Sequence, residues 1–203
     1  MKIVAISGSV RPNNFTWKAL SLVVDELKKQ EGVETEVFDP RDLRLAMPGL
    51  QTDDPKVQAL RDAVKEATGI VLATPEYHGG FSSVIKMVIE NLGFPSSLSG
   101  KPIGLLGVAV GQIGAVKALE HLRSVCSHVG AIVLPGPVSV ANVQKLFDED
   151  GKPLDENMDR RIRGVATHLL DYIHTNICPR VSLEQAVRGG EGPLDADSAQ
   201  NQA

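Results

Sequence analysis

The sequence predicts an α/β fold built on a five-stranded parallel sheet, with helices covering both faces. Short apolar runs alternate with amphipathic helical stretches along the chain, the pattern of strand–helix–strand units. The runs are largely apolar, as strands buried on both faces must be. A length of 203 residues, 42% hydrophobic and 23% charged, fits one ordinary domain with a full core.

The elements follow in order. Lys2 to Ile6 reads as the first, buried strand. Leu20, Val23, Val24 and Leu27 then keep the spacing of one helix face. Val33 to Phe38 is a second strand that stops at Asp39-Pro40. Residues 41–53, with Pro48-Gly49, read as a loop. Asp54-Pro55 opens a helix that runs to about Thr68, because proline suits the first helical position. Gly69 to Thr74 is the third strand, broken at Pro75. The next helix carries Val84, Ile85, Val88, Ile89 and Leu92 on one side. Pro102 to Val110 is the fourth strand, ending at Gly111-Gln112-Ile113-Gly114. Ala115, Ala118, Leu119, Leu122, Val125, Cys126 and Val129 mark another helix. Residues 131–140 hold a short fifth strand interrupted by Pro135-Gly136-Pro137. Ile162, Val165, Ala166, Leu169, Leu170 and Ile173 mark the last helix. Residues 1–180 are expected to form the domain, and 181–203, polar and glycine-bearing, a flexible tail.

In such sheets a ligand binds beyond the C-terminal ends of the strands, at a switch in strand order. Three strand ends carry loops of unusual composition. The first, Ser7-Gly8-Ser9-Val10-Arg11-Pro12-Asn13-Asn14, leads straight into a helix. Backbone N–H groups and the positive end of the helix dipole converge there, which suits phosphate. Ser9, Asn14 and Thr16 add neutral donors, and Arg11 adds a forked cation. The loop has neither the Walker lysine pattern nor the three spaced glycines of a dinucleotide loop, so it fits a mononucleotide. The second loop, Pro75-Glu76-Tyr77-His78-Gly79-Gly80, lets backbone approach a flat ligand closely. Tyr77 either lies against an aromatic ring or anchors a neighbouring loop through its hydroxyl. His78 is expected to act through its backbone more than its side chain. A ring with carbonyls and nitrogens along one edge, such as a flavin, suits this loop. The third, Val110 to Gly114, supplies a further wall.

The stretches Gly8-Ser9-Val10-Arg11, Pro75-Glu76-Tyr77 and Leu146-Phe147-Asp148-Glu149-Asp150-Gly151-Lys152 resemble the NADPH-dependent FMN reductase family. The resemblance covers roughly residues 1–173 and implies a flavodoxin-like three-layer sandwich. It implies non-covalent FMN, with its phosphate on Ser9, Arg11, Asn14, Phe15 and Thr16. It implies the isoalloxazine ring against Pro75, Glu76, Tyr77 and His78, with Val110, Gly111 and Gly114 nearby. NADPH is the implied reductant. A small acceptor then takes the electrons: free flavin, a quinone, an azo compound or a metal oxyanion. It also implies a homodimer or homotetramer in which a second subunit helps to close the site, with the helix near Ser82 and its preceding loop at the interface. No side chain needs to act as acid, base or nucleophile, because the cofactor carries the chemistry. The chain departs from the family pattern at Asn14 (often Ser), Thr16 and His78 (often Asn), and Ser82-Ser83 (often Pro-Gly).

Other readings stand beside this one. A flavodoxin-type electron carrier would bind FMN without direct turnover of NADPH. Such carriers are strongly acidic near the flavin, and the net charge here is only −4. A nucleotide-binding regulatory module would bind ligand without electron flow. The same charge, with no basic stripe, argues against nucleic acid as a partner. No signal peptide and no apolar stretch of bilayer length is expected. Cys126 and Cys178 form neither a disulfide framework nor a zinc site, so a cytoplasmic location is expected. His121, His128, His168 and His174 lack metal spacing. Cys126 reads as a core residue. Phe15 and Trp17 read as a hydrophobic staple or a subunit contact. Arg11, Arg41 and Arg44 are the candidates for a nucleotide 2′-phosphate.

Overall fold

The computed structural model describes residues 1–149 and 151–190. Strands β1 (Lys2–Ser7), β2 (Glu34–Phe38), β3 (Gly69–Tyr77) and β5 (Pro102–Val108) run parallel in the order β2-β1-β3-β5. Beyond β5 lie β6 (Ile132–Val133) and β7 (Val138–Val140), both paired to it in parallel. The expected fifth strand is thus one strand position split where Pro135 and Pro137 cannot donate to a ladder. The strand order is the flavodoxin-like one, and it reverses between β1 and β3.

Two boundaries differ from expectation. β3 does not break at Pro75 but continues to Tyr77, with Pro75 opposite Val108. Its end turns back into a short antiparallel strand, β4 (Gly80–Phe81), which prolongs the pairing. The strand expected to reach Val110 ends at Val108, whose pairing with Val140 is closed by the last ladder bond, Ala109 N–H to the Val140 carbonyl at 2.9 Å.

Helices α1 (Phe15–Lys28) and α5 (Glu156–Tyr172) cover one face; α2 (Pro55–Glu66), α3 (Ser83–Asn91) and α4 (Val116–His128) cover the other. The pleat sorts the core. Ile3, Ala5, Val71, Ala73 and Leu106 meet Leu20, Val23 and Leu27 of α1 and Val165 and Leu169 of α5. Val4, Ile6, Ile70, Leu72 and Ile103 meet Leu60, Ile85, Leu119 and Leu122. Successive side chains point to opposite faces, so a run of apolar residues feeds both layers. Cys126 lies in the second cluster, and burial pushes its thiol up to about 12. After α5 the chain passes through a π-helical stretch, Ile173–Ile177, into α6 (Cys178–Gly190). Residues 181–190 of the expected tail are therefore helical, and 191–203 lie outside the described residues. No described helix is long and apolar enough to cross a membrane.

Arg163 of α5 clamps α1. Its guanidinium pairs with Asp25, approaches Glu26 at 3.4 Å and Asp159 at 2.9 Å, and donates to the Leu22 carbonyl at 3.3 Å. The Arg163 hydrogen bond holds the Asp25 carboxyl below the usual carboxylate range. A carboxyl depressed on folding stabilises above its unfolded value and loses that contribution as pH falls through the folded one. Arg163→Met is expected to cost about 1 kcal/mol at pH 7, a figure already discounted for the exposed side of the cluster. The difference from the parent chain should shrink below about pH 4; urea unfolding of both proteins at pH 7 and pH 3 measures it.

Candidate functional site

The C-terminal ends of β1, β3 and β5 open onto one cavity of about 980 Å³. It lies at the switch in strand order, where α1 and α3 leave toward opposite faces of the sheet.

The first loop is held by glycine and by a serine from elsewhere. A Cβ on Gly8 would stand 2.6 Å from the Ala73 carbonyl oxygen, so backbone packs directly on backbone. Ser82, the N-cap of α3, accepts from Ile85 N–H at 3.1 Å and donates to the Gly8 carbonyl at 2.6 Å. Asn14 is the N-cap of α1. Its Oδ1 accepts from Trp17 N–H at 2.7 Å and its Nδ2 donates to the Arg11 carbonyl at 2.7 Å. Both ends of that amide are occupied in shaping the loop. Phe15 and Thr16 N–H groups sit at the first two helical positions, which have no intrahelical acceptor, and both residues line the cavity. Thr16 is buried yet lines the cavity, so its hydroxyl belongs to the same donor set. Arg11 supplies the positive charge, and its guanidinium carbon lies 4.6 Å from the centre of the Tyr77 ring.

The second loop is a two-residue hairpin. Tyr77 pairs with Gly80, and the turn residues His78 and Gly79 have φ of 51° and 75°. Two consecutive left-handed residues are the signature of a type I′ turn, in which Asn-Gly is preferred. His78 therefore stands at a position with a backbone demand, which explains an Asn there in the resembled family. Glu76 points away from the turn: its Oε2 accepts from Ala118 N–H at 3.0 Å. α4 has no side-chain cap of its own, so Glu76 caps it and offsets the positive end of its dipole.

The third loop is braced by β7, which pairs with β5, and by Asn142 just after it. Ser139 Oγ accepts from Ala115 N–H at 2.8 Å. The Gly111 carbonyl accepts from Gly114 and from Asn142, each at 3.2 Å. Gly114 has φ of 77°, and a Cβ there would meet Ser139 Oγ at 2.4 Å.

Arg11, Asn14, Phe15, Thr16, Pro75, Glu76, Tyr77, His78, Val110, Gly111 and Gly114 all line the cavity. Ser9 does not; it is buried, and its Oγ accepts from Arg11 N–H at 3.4 Å. Pro12, Asn13, Gly79, Gln112 and Ile113, members of the three loops read from the sequence, line the cavity as well, and sequence reasoning missed Val108, Ala109 and Val143. All but Val143 are neighbours of named loop residues. Val143 comes from a 3₁₀ turn, Val143–Lys145, whose sequence carries no ligand-like signal. Among the arginines, Arg41 is held by the Asp39 carboxylate and lies 5.9 Å over Trp17. Among the described residues no group of His, Cys, Asp and Glu is placed to hold a metal.

A cationic cradle at a helix N-terminus beside a slot walled by Tyr77, Val108, Val110 and Val143 can seat a ligand with a phosphate at one end and a flat ring at the other. The chain is also similar to known proteins. A sequence model of a family described as NADPH-dependent FMN reductase matches residues 1–145. An NAD(P)H-dependent FMN reductase of Pseudomonas aeruginosa is 29% identical over 161 residues, 77% of this chain and 86% of that protein. An FMN-dependent NADPH-azoreductase of Staphylococcus aureus is 25% identical over 185 residues, 87% of this chain and 97% of that protein. Among solved structures, the flavoenzyme NAD(P)H:(acceptor) oxidoreductase FerB of Paracoccus denitrificans superposes with a TM-score of 0.70 at 25% identity, covering 86% of this chain and 97% of that one.

Substitutions at two positions test the local geometry. His78→Asn should raise stability by about 0.5 kcal/mol, since Asn tolerates the left-handed turn position better. Glu76→Ala should lower it by about 1 kcal/mol through loss of the α4 cap, and Glu76→Gln by less. Thermal unfolding of the variants reads both, and an unchanged Glu76→Ala protein would refute the capping role.

Proposed function

The chain belongs to the NADPH-dependent FMN reductase family, and we propose that its cavity seats FMN with the phosphate on the first loop and the ring between the second and third. The observation that carries this reading is the meeting of a phosphate cradle and a flat-walled slot in one cavity, from loops far apart in the chain. The donors for the phosphate are the Phe15 and Thr16 N–H groups, the Thr16 hydroxyl and the Arg11 guanidinium. Ser9 and Asn14 act behind them, holding the Arg11 backbone. Pro75, Tyr77 and His78 flank the ring, with Val110, Gly111 and Gly114 opposite.

FMN, when bound, supplies the capacity to take a hydride from NADPH and pass electrons on. The chain's own residues position and shield. Val108, Val110 and Val143 keep water from the slot. The hairpin at His78-Gly79 and the bracing of Gly111 hold the two walls at a fixed spacing, as stacked transfer between flat rings requires. No side chain is assigned a proton transfer. The acceptor is a small oxidant: free flavin, a quinone, an azo compound or a metal oxyanion. The flavin-holding unit is residues 1–180, since α5 shares its buried cluster with α1. The working form is a homodimer or homotetramer, with α3 and the loop before it at the interface. Ile113 lines the cavity yet is 83% exposed, leaving an apolar wall for a second copy to close. Cytoplasmic residence fits NADPH as reductant and the buried Cys126 thiol.

The test is an anaerobic visible spectrum of the FMN-loaded protein before and after NADPH. A perturbed flavin band that bleaches rapidly is expected. A retained flavin that stays yellow would return the chain to an electron-carrier or regulatory role, and free-flavin behaviour without NADPH consumption would remove the cofactor assignment. Arg11→Met should raise the FMN Kd about tenfold, equivalent to one charge-assisted contact.

A further inference from the structure

The turn to which residues 146–149 and 151–152 belong lines no part of the cavity described above, although its sequence is one of the three stretches that resemble the family. It is nonetheless a closed unit. Asp148 N–H donates to the Lys152 carbonyl at 3.0 Å, and Gly151 N–H to the Asp148 carbonyl at 3.1 Å. Asp148 Oδ1 accepts from Lys152 N–H at 2.7 Å. Phe147 bridges to Pro153, and Leu154 N–H donates to the Leu146 carbonyl at 2.8 Å.

This unit grips the first turn of α1. The Phe147 ring, 7% exposed, stacks on Phe15 with centroids 6.3 Å apart and planes 25° apart. Lys18 Nζ approaches the Asp148 carbonyl at 3.5 Å and lies 5.6 Å over the Phe15 ring. The Lys18 stem runs 3.7 Å from where a Cβ on Gly151 would stand. Phe15 and Lys18 are three apart and share one helix face. Phe15 also begins the helix and lines the cavity.

We propose that Phe147 and the turn closed by Asp148 are positioning elements for the cofactor phosphate: they hold Phe15 and Lys18 and so fix the N–H groups of α1 against it. This rests on the phosphate placement proposed above. Phe147 and Asp148 meet α1 at its first turn and so bear on the phosphate end of the ligand, whereas the turn's link to the ring wall, Leu146 N–H donating to the Val143 carbonyl at 3.1 Å, lies outside the two substituted positions. That separation makes it measurable with riboflavin, which has the same ring and no phosphate.

The experiment titrates FMN and riboflavin against the full chain, Phe147→Leu and Asp148→Ala, following flavin fluorescence. The FMN Kd should rise about tenfold in each variant while the riboflavin Kd stays within about twofold. Asp148→Ala is the stricter case and covers a Phe147→Leu protein that fails to fold. Removing a carboxylate near an anion should tighten FMN binding by simple electrostatics, whereas loss of the turn should weaken it. Unchanged or tighter FMN binding in Asp148→Ala, or equal weakening of both ligands, overturns the inference. A parent chain that does not prefer FMN over riboflavin overturns instead the phosphate placement on which it rests.

Discussion

The site depends on one close contact, the backbone of Gly8 against the carbonyl of Ala73. β1 and β3 are neighbours with Ser7 opposite Ala73, so the chain must leave β1 directly over the end of β3. A side chain at position 8 would collide with that carbonyl oxygen. With glycine there, the first loop turns immediately into α1, and the Gly8 carbonyl comes within reach of Ser82. One hydroxyl then ties the first loop to the N-terminus of α3. The two loops that would meet opposite ends of the ligand are thereby joined before any ligand arrives, which lowers the ordering cost of binding.

A common arrangement extends around the cavity. Two of the loops are shaped by a side chain from a distant segment, Ser82 for the first and Ser139 for the third, and the second is linked to α4 by its own Glu76. Phe147 stacks on Phe15 from the far side of α1. Apart from Tyr77, the wall residues Val108, Val110 and Val143 are small and β-branched, so they have few rotamers to freeze. Rigidity comes from the bracing shell, which is what positions flat rings to the tolerance that hydride transfer needs.

Charge is arranged with the same economy. A net charge of −4 repels a phosphorylated ligand at long range, and salt screens that repulsion within about 8 to 10 Å. Attraction must then be local. On the proposed placement it comes from the α1 N-terminus and Arg11, whose guanidinium rests over Tyr77 at the cavity with no ion-pair partner among the described residues. Arg163 shows the opposite use: surrounded by Asp25, Glu26 and Asp159, it is spent on joining α1 to α5.

By itself the sequence determined the layered α/β fold, the position of the five helices that cover the sheet, and the three loops that line the cavity; α6 it did not show. These follow from short-range patterns: apolar periodicity, Pro55 at a helix start, glycines beside a strand end. The FMN reductase resemblance was legible in three short stretches for the same reason. Only the tertiary structure decided that β3 runs through Pro75 into a hairpin, because that depends on pairing with Val108 and Phe81 rather than on local preference. It decided that Ser9 stands behind the cavity and Val143 within it. It assigned Glu76 to α4 and Phe147 to α1, partnerships between residues far apart in the chain. Such contacts leave no periodic trace in a sequence, since their partners are chosen by how the strands are ordered in space.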